Sequence, residues 1–266
     1  MREFSPATDI AVRAAREAGH VLMGYFLRPP EPGEVQYKGP SSPVTEADRA
    51  AEACIVSRLR EAFPDHGIVA EEGSGAPCEG GPCWYVDPLD GTTNFVHRLP
   101  WFAVSIALAD GEEVRCGVVY HPILDELFVA ERGKGAWLVR GGTKERIHVS
   151  QVRRLQEALV ATGTPSDIGL TGRNLREIQA LAKVTEDIRI MGSAALHLAF
   201  VAAGRLDAFW EPELNPWDAA AGALLVQEAG GVVTGMDGAP YVAQTRNPLA
   251  TNGLVHEAML AFLRVR

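Results

Sequence analysis

The 266-residue chain is poor in lysine. Only Lys38, Lys134, Lys144 and Lys183 occur, so arginine supplies most of its 25 basic residues. Acids outnumber bases, with 34 Asp and Glu and a formal net charge of -9. That balance excludes a nucleic-acid-coating surface, which needs clustered cations against phosphates. It equally excludes a surface built to lie on anionic membrane. No run approaches the ~20 apolar residues of a membrane-spanning helix. The opening Met1-Arg2-Glu3-Phe4-Ser5-Pro6 lacks the apolar centre of a signal peptide, and a cytoplasmic protein is expected. Cysteine is scarce too: Cys54, Cys78, Cys83 and Cys116. Four residues separate Cys78 from Cys83, but no second pair follows at zinc-ligand spacing, so reduced, unligated thiols are expected. Also missing are the Gly-x-Ser-x-Gly elbow, the P-loop and the Gly-x-Gly-x-x-Gly dinucleotide fingerprint. What remains is ordinary globular usage, 47% hydrophobic and 22% charged, which excludes disorder and leaves ample core.

Residues 6–27 read as an amphipathic helix capped by Ser5, with Ile10, Ala14, Ala18, Val21, Leu22, Tyr25 and Phe26 recurring at helical spacing. The stretch from Leu27 to Pro43, rich in Pro, Gly and Ser, reads as one long loop. A second helix follows Thr45 and stops near Pro64, with Ala51, Cys54, Ile55 and Leu59 on one face. Short β-type runs then occupy Gly67–Ala70, Trp84–Asp87, Phe102–Ala109, Val114–Tyr120, Leu127–Ala130, Ala136–Val139 and Arg146–Val149. They predict an antiparallel sheet packed on the two leading helices. Beyond residue 150 strand and helix alternate, closing with a helix over 254–265. The expected class is α/β, with an α+β first half over 1–150 and an α/β second half over 151–266, together forming one catalytic module. No repeat or low-complexity tract occurs.

The densest chemical signal is Asp87-Pro88-Leu89-Asp90-Gly91-Thr92-Thr93-Asn94-Phe95, entered from the apolar Trp84-Tyr85-Val86. Pro88 cannot donate to a ladder, so regular pairing should end at Asp87. Asp87 and Asp90 then share one turn, where two carboxylates repel unless protonated or bound to a cation. Hard oxygen ligands of this kind suit Mg²⁺. Gly91 allows a tight turn, and the amides after it can receive an anion. A second strand ends in acids at Glu71 and Glu72. A third segment, Asn215-Pro216-Trp217-Asp218-Ala219-Ala220-Ala221-Gly222, is a helix start with Asp218 in its first turn, where an acid also serves the macrodipole. Thr45-Glu46-Ala47-Asp48 is a capping arrangement, and Ser193 can cap the helix after it. Histidines 97, 121, 148, 197 and 256 do not cluster with the acids.

The Asp87–Phe95 and Trp217–Gly222 segments resemble the two signature motifs of the inositol monophosphatase family, supported by Val44-Thr45-Glu46-Ala47-Asp48 and Glu71-Glu72 in the family's order. The resemblance covers nearly the whole chain. It implies a layered αβαβα sandwich of the sugar-phosphatase type and Mg²⁺-dependent hydrolysis of myo-inositol monophosphate. It further implies that Glu71, Asp87 and the Leu89 carbonyl hold one Mg²⁺, that Asp87, Asp90 and Asp218 hold a second, and that a third leans on Glu71. Asp48 and Thr92 would polarise the attacking water, and Glu71, Asp48 and Thr92 form the implied catalytic set. Substrate would meet Asp90, Gly91, Thr92, Gly192, Ser193, Ala194, Glu211 and Asp218. Glu211 stands seven residues before Asp218, where inositol-1-phosphate hydrolases place a glutamate against ring hydroxyls. Phe95-Val96-His97-Arg98-Leu99-Pro100 points to the same branch.

Two departures stand out. Ser42 occupies a position that is usually Asp, and the loop between Glu71 and Asp87 is short. The resemblance also implies a homodimer, lithium sensitivity and a small phosphorylated polyol or sugar as partner, with no direct nucleic acid and no membrane. Alternatives are a broader sugar-phosphate phosphatase, such as a fructose-1,6-bisphosphatase or NADP phosphatase, or a regulatory partner of the transcription machinery.

Overall fold

The computed structural model describes residues 4–28, 35–39, 42–75, 78, 80–164 and 174–264. Helix α1 (Pro6–Phe26) begins at Ser5, whose hydroxyl accepts the Thr8 amide, and ends with the Leu27 amide on Met23 O. Strands β1 (Val35–Gly39) and β2 (Ser42–Thr45) pair as an antiparallel hairpin. The 27–43 segment is therefore not the single loop its composition suggested: small and turn-forming residues there hide a two-stranded ladder. The side chain of Ser42 lies outside the described residues. Helix α2 (Glu46–Ala62) follows, then β3 (Gly67–Ala70), β4 (Pro82–Asp90), the short α3 (Thr92–Val96), β5 (Ala103–Asp110), β6 (Glu113–His121), β7 (Glu126–Glu131), β8 (Gly135–Arg140) and β9 (Thr143–Arg146). The second half runs β10 (Leu159–Thr162), α4 (Leu175–Leu181), β11 (Asp187–Arg189), α5 (Ala194–Ala202), β12 (Ala208–Trp210), α6 (Pro216–Glu228), β13 (Val232–Gly235), β14 (Pro248–Thr251) and α7 (His256–Leu263).

These elements stack in five layers. The first sheet has the order β3-β4-β5-β6-β7-β8-β9, antiparallel except for the parallel β3/β4 pair. The second has the order β11-β10-β12-β14-β13, with parallel and antiparallel pairs mixed. Helices α1 and α2 cover the outer face of the first sheet through Ala14, Leu22, Ile55 and Leu59 against Trp84, Val86, Ile106 and Val118. Helices α5 and α6 fill the space between the sheets, and α4 and α7 close the far side on Trp210, Val160 and Leu249. The αβαβα layering expected from the family resemblance is the layering found. The 146–149 strand is displaced to 143–146, because Thr143–Arg146 takes the hairpin register of β8. Among the described residues no helix is long and apolar enough to cross a membrane.

Cys78 and Cys83 form a disulfide, Cα atoms 5.7 Å apart, and this corrects the expectation of free thiols. Cys83 is the register partner of Gly67, and the chain returning from β3 lays Cys78 over that same glycine. Local spacing cannot reveal a fold-back of this kind. Cys54 and Cys116 are free.

Helix α6 approaches β6 at backbone distance. A Cβ on Gly117 would stand 2.7 Å from Ala221 O and 2.8 Å from its Cα. On the opposite side a Cβ on Gly222 would overlap Leu198 of α5. The run Ala219–Ala223 is buried, and at Gly222 no side chain larger than hydrogen fits without moving Leu198. Gly117→Ala pushes a methyl against backbone that cannot rotate away, and is expected to cost about 1–3 kcal/mol. A lowered urea midpoint at constant m-value checks it.

Candidate active site

Alternation along β4 sends Trp84 and Val86 toward α1 and α2, and Cys83 and Tyr85 toward α5 and α6. Asp87, two residues on, falls on the inner face, only 2% exposed. Pairing with β5 is regular up to Asp87↔Ser105 and then slips to Asp90↔Ala103. The ladder breaks where Pro88 lacks its N–H and resumes at Asp90. Inside the break, Asp87 Oδ1 accepts the Leu89 amide at 2.9 Å. Gly91 then turns at φ +98° into α3. A Cβ there would meet Trp101 O at 3.0 Å and Gly192 O at 3.1 Å, so only glycine serves.

Because β3 runs parallel to β4, Ala70↔Val86 register sets the two acidic strand ends side by side, with the Glu71 amide on Val86 O at 3.1 Å. From the second half, Asp218 enters at the third position of α6, its Oδ2 accepting the Asn215 amide at 2.7 Å. Ser105, opposite Asp87, donates to Trp217 O at 3.0 Å and fastens that helix start to the first sheet. Asp90 Oδ2 is gripped by the Ser193 hydroxyl and by the Ala195 amide at 2.8 Å. Ser193 thus caps α5 and also reaches across to Asp90. Asp48 likewise does two things: Oδ2 closes the capping box on Thr45, while Oδ1 accepts Thr92 Oγ1 at 3.1 Å. Thr92 Oγ1 also lies 3.1 Å from Leu89 O.

These carboxylates perturb one another. Burial pushes Asp87 well above the usual carboxylate range, and Glu71, Asp90 and Asp218 push it further. Burial lifts Asp218 to about 8 against the Asn215 bonds, with Asp90 and Glu71 adding to the rise. Asp90 and Asp48 are each lifted to about 6 by burial, in part offset by Ser193 and Ala195 for the first and Thr45 for the second. Glu211 is raised well above its range by burial and by Asp90 and Asp218. Its carboxylate fills the space a Cβ on Gly163 would take. As the side chains stand, no three His, Cys, Asp or Glu among the described residues enclose a common point. The set is open, mutually repelling and made only of hard oxygen donors, which fits a divalent cation such as Mg²⁺.

Every predicted site residue lies among the described residues. Glu71, Asp87, Asp90 and Asp218 fall within mutual electrostatic reach. Thr92 joins Asp48 to the Leu89 carbonyl. Glu211 lies within electrostatic reach of Asp90 and Asp218, while Gly192 stands against Gly91 and Ser193 and Ala194 reach Asp90.

Sequence reasoning missed several supporting residues. Buried Glu52 accepts the Glu72 and Ser74 amides at 2.7 and 2.8 Å and pins the loop after β3. Its place four residues after Asp48 on the apolar face of α2 was a readable signal. Asn94 donates to Trp101 O at 2.8 Å and Met191 O at 2.7 Å, tying α3 to the 191–193 turn. Asn174 bonds Gly163 O and Trp210 Nε1 beneath Glu211. Ser105 and Asn174 carry no local sequence signal.

A pair of acidic strand ends facing an acidic helix start suits the chemistry of a phosphoric monoester hydrolase. The inositol monophosphatase family matches residues 3–265, and the chain belongs to that family, whose members are generally metal-dependent. It is 44% identical over 263 residues to the Nus factor SuhB of Escherichia coli strain K12, covering 97% of this chain and 96% of that protein. It is 42% identical over 253 residues to the fructose-1,6-bisphosphatase/inositol-1-monophosphatase of Thermotoga maritima, covering 95% and 93%. The crystal structure of the extragenic suppressor protein suhB from Bartonella henselae superposes with a TM-score of 0.88 at 42% identity, over 98% of this chain and 99% of that one.

A carboxyl whose pKa is higher in the fold than in the unfolded chain binds its proton more tightly when folded, so stability falls as pH rises through that window. Between pH 6.5 and 8.5 Asp218, near 8, is titrating. The buried His121 and His197, lowered by burial to about 4 and 3, are already neutral there. In EDTA the melting temperature should therefore fall over that interval. Saturating Mg²⁺ at pH 8 should restore about 5–10 °C, and Asp218→Asn should lessen both effects. Thermal melts at fixed ionic strength with and without Mg²⁺ check this.

Proposed function

We propose that the protein is a Mg²⁺-dependent phosphatase of myo-inositol monophosphates, releasing inositol and inorganic phosphate. The observation that carries the reading is Glu211, a buried carboxyl group against Gly163 that lies within electrostatic reach of Asp90 and Asp218. There it can accept hydroxyls of a polyol whose phosphate rests on the Gly91 and Thr92 amides. Glu71, Asp87, the Leu89 carbonyl, Asp90 and Asp218 would hold two or three Mg²⁺ ions. Bound Mg²⁺ supplies charge neutralisation on the phosphate and leaving oxygens and a lower pKa for water.

The chain's own residues do the rest. The Thr92 hydroxyl gives its proton toward Asp48 Oδ1 and so turns a lone pair outward, able to accept a proton from an attacking water. Asp48, lifted to about 6, is ionised above neutral pH and acts as the sink. The Asp218 oxygen not taken by the Asn215 amide is available to hold the water that returns a proton to the leaving alkoxide. The fixed αL turn at Gly91 holds the phosphate site in place without reorganisation.

The same reading carries lithium inhibition, a homodimer and a cytoplasmic location. The broader alternative, a fructose-1,6-bisphosphatase or NADP phosphatase, draws on the double name of the Thermotoga maritima relative. A regulatory role draws on the name of the Escherichia coli relative. The intact acid set and the net charge of -9 favour a small anionic ester over nucleic acid.

Phosphate release from myo-inositol 1-phosphate, fructose 1,6-bisphosphate and NADP, with Mg²⁺ or EDTA, decides among these. The inositol ester should lead by about tenfold in kcat/KM, with no turnover in EDTA. Activity indifferent to Mg²⁺ would overturn the mechanism. Asp90→Asn should lower kcat by at least about 10²–10³-fold while circular dichroism stays that of the parent. Glu211→Gln should act chiefly on KM for the inositol ester.

A further inference from the structure

Helix α5 is apolar except at one place. In Ala194–Ala202 every other side chain is Ala, Leu, Phe or Val, yet His197 sits in the middle with no exposed surface. Its ring lies 5.2 Å from that of Phe209. Nε2 receives the Met191 amide at 3.3 Å, which fixes the ring proton on Nδ1. Nδ1 is buried with no partner among the described residues. A buried N–H left unmade is a cost to the fold that leucine in the same space would not carry.

What the ring holds explains why that cost is tolerated. Met191 is gripped from both ends: its N–H by His197 and its C=O by Asn94 Nδ2 at 2.7 Å. The next residue, Gly192, turns at φ +75° against the Asn94 amide. Ser193 follows and donates to Asp90, as does the Ala195 amide. A single residue, held through both of its peptide groups, therefore sets the path of the turn that reaches across to the acid cluster. The turn leaves β11 only two residues before Met191, and His197 reaches it from the helix that the turn itself starts.

We propose that His197 is a positioning residue for the reaction. Its Nε2 fixes the Met191–Ser193 turn, and through that turn the wall of the substrate pocket and the two donors on Asp90. The inference rests on the reading of residues 192–194 as substrate-facing.

The test compares His197→Leu, His197→Gln and His197→Asn. Glutamine can place its carbonyl oxygen where Nε2 stands, whereas asparagine reaches only the Nδ1 position. Met191 amide hydrogen exchange should accelerate about tenfold or more in the Leu and Asn variants and stay near the parent value in the Gln variant. KM should follow the same pattern, rising about tenfold for Leu and Asn with kcat changed less than about threefold, and returning for Gln. The kinetic arm uses whichever phosphate ester the wild type hydrolyses fastest, so a failed inositol reading shows in the wild type before any variant is compared. A merely space-filling histidine predicts Gln and Asn variants that behave alike, and that result overturns the proposal. Accelerated Met191 exchange with unchanged KM overturns it as well. The Gln and Asn variants, which share a side-chain amide and differ only in its reach, carry the comparison even where the Leu variant folds poorly.

Discussion

Repulsion among buried carboxylates is the constraint around which the molecule is arranged. Asp87, Asp90 and Asp218 lie where burial alone disfavours their charge, and each raises or is raised by its neighbours. Main-chain amides and hydroxyls meet them: Leu89 on Asp87, Ser193 and Ala195 on Asp90, Asn215 on Asp218. Neutral donors orient a carboxylate without cancelling its charge. The fold therefore spends tightly packed structure on holding an electrostatically unfavourable group in place, and leaves its field available to a cation.

That economy explains why small residues gather where they do. Helix α6 must bring Asp218 close to Asp87 on the neighbouring sheet, and the close approach is made by Gly117 below the helix and Gly222 beside α5. Ser105 completes the registration by joining the strand opposite Asp87 to the carbonyl before Asp218. On the other side, Asn94 and His197 fix the turn that supplies Asp90 with donors. Catalytic geometry here depends on backbone path more than on the reach of flexible side chains.

The parts of the fold legible in sequence were those with local periodicity. Strand ends at Glu71 and Asp87, the break at Pro88 and the helix starts at Thr45 and Asn215 all have chemical signatures within a few residues. The β1/β2 hairpin escaped because Pro, Gly and Ser favour turns and say little about the ladder between them. The Cys78–Cys83 bridge escaped because it depends on Cys78 folding back over Gly67. Glu52 was hidden as one more helical charge, although it sits four residues from Asp48 and is wholly buried. Ser105, Asn174 and His197 act through partners on other elements, and no pattern along the chain encodes such a partner. The acids that the fold gathers stand in local sequence signatures, whereas most of the contacts that aim them do not.

The order of the acids along the chain has a consequence for biosynthesis. Glu71, Asp87 and Asp90 leave the ribosome well before Asp218, and the donors on Asp90 come from Ser193 and Ala195 in the later half. A nascent first sheet therefore carries part of the cluster with neither its fourth carboxylate nor its orienting donors. All four acids come together only once α6 docks, and Asp90 gains its donors only with α5. Completion of the cluster then reports that the last third of the protein is in place, and a truncated or misdocked chain carries only part of it.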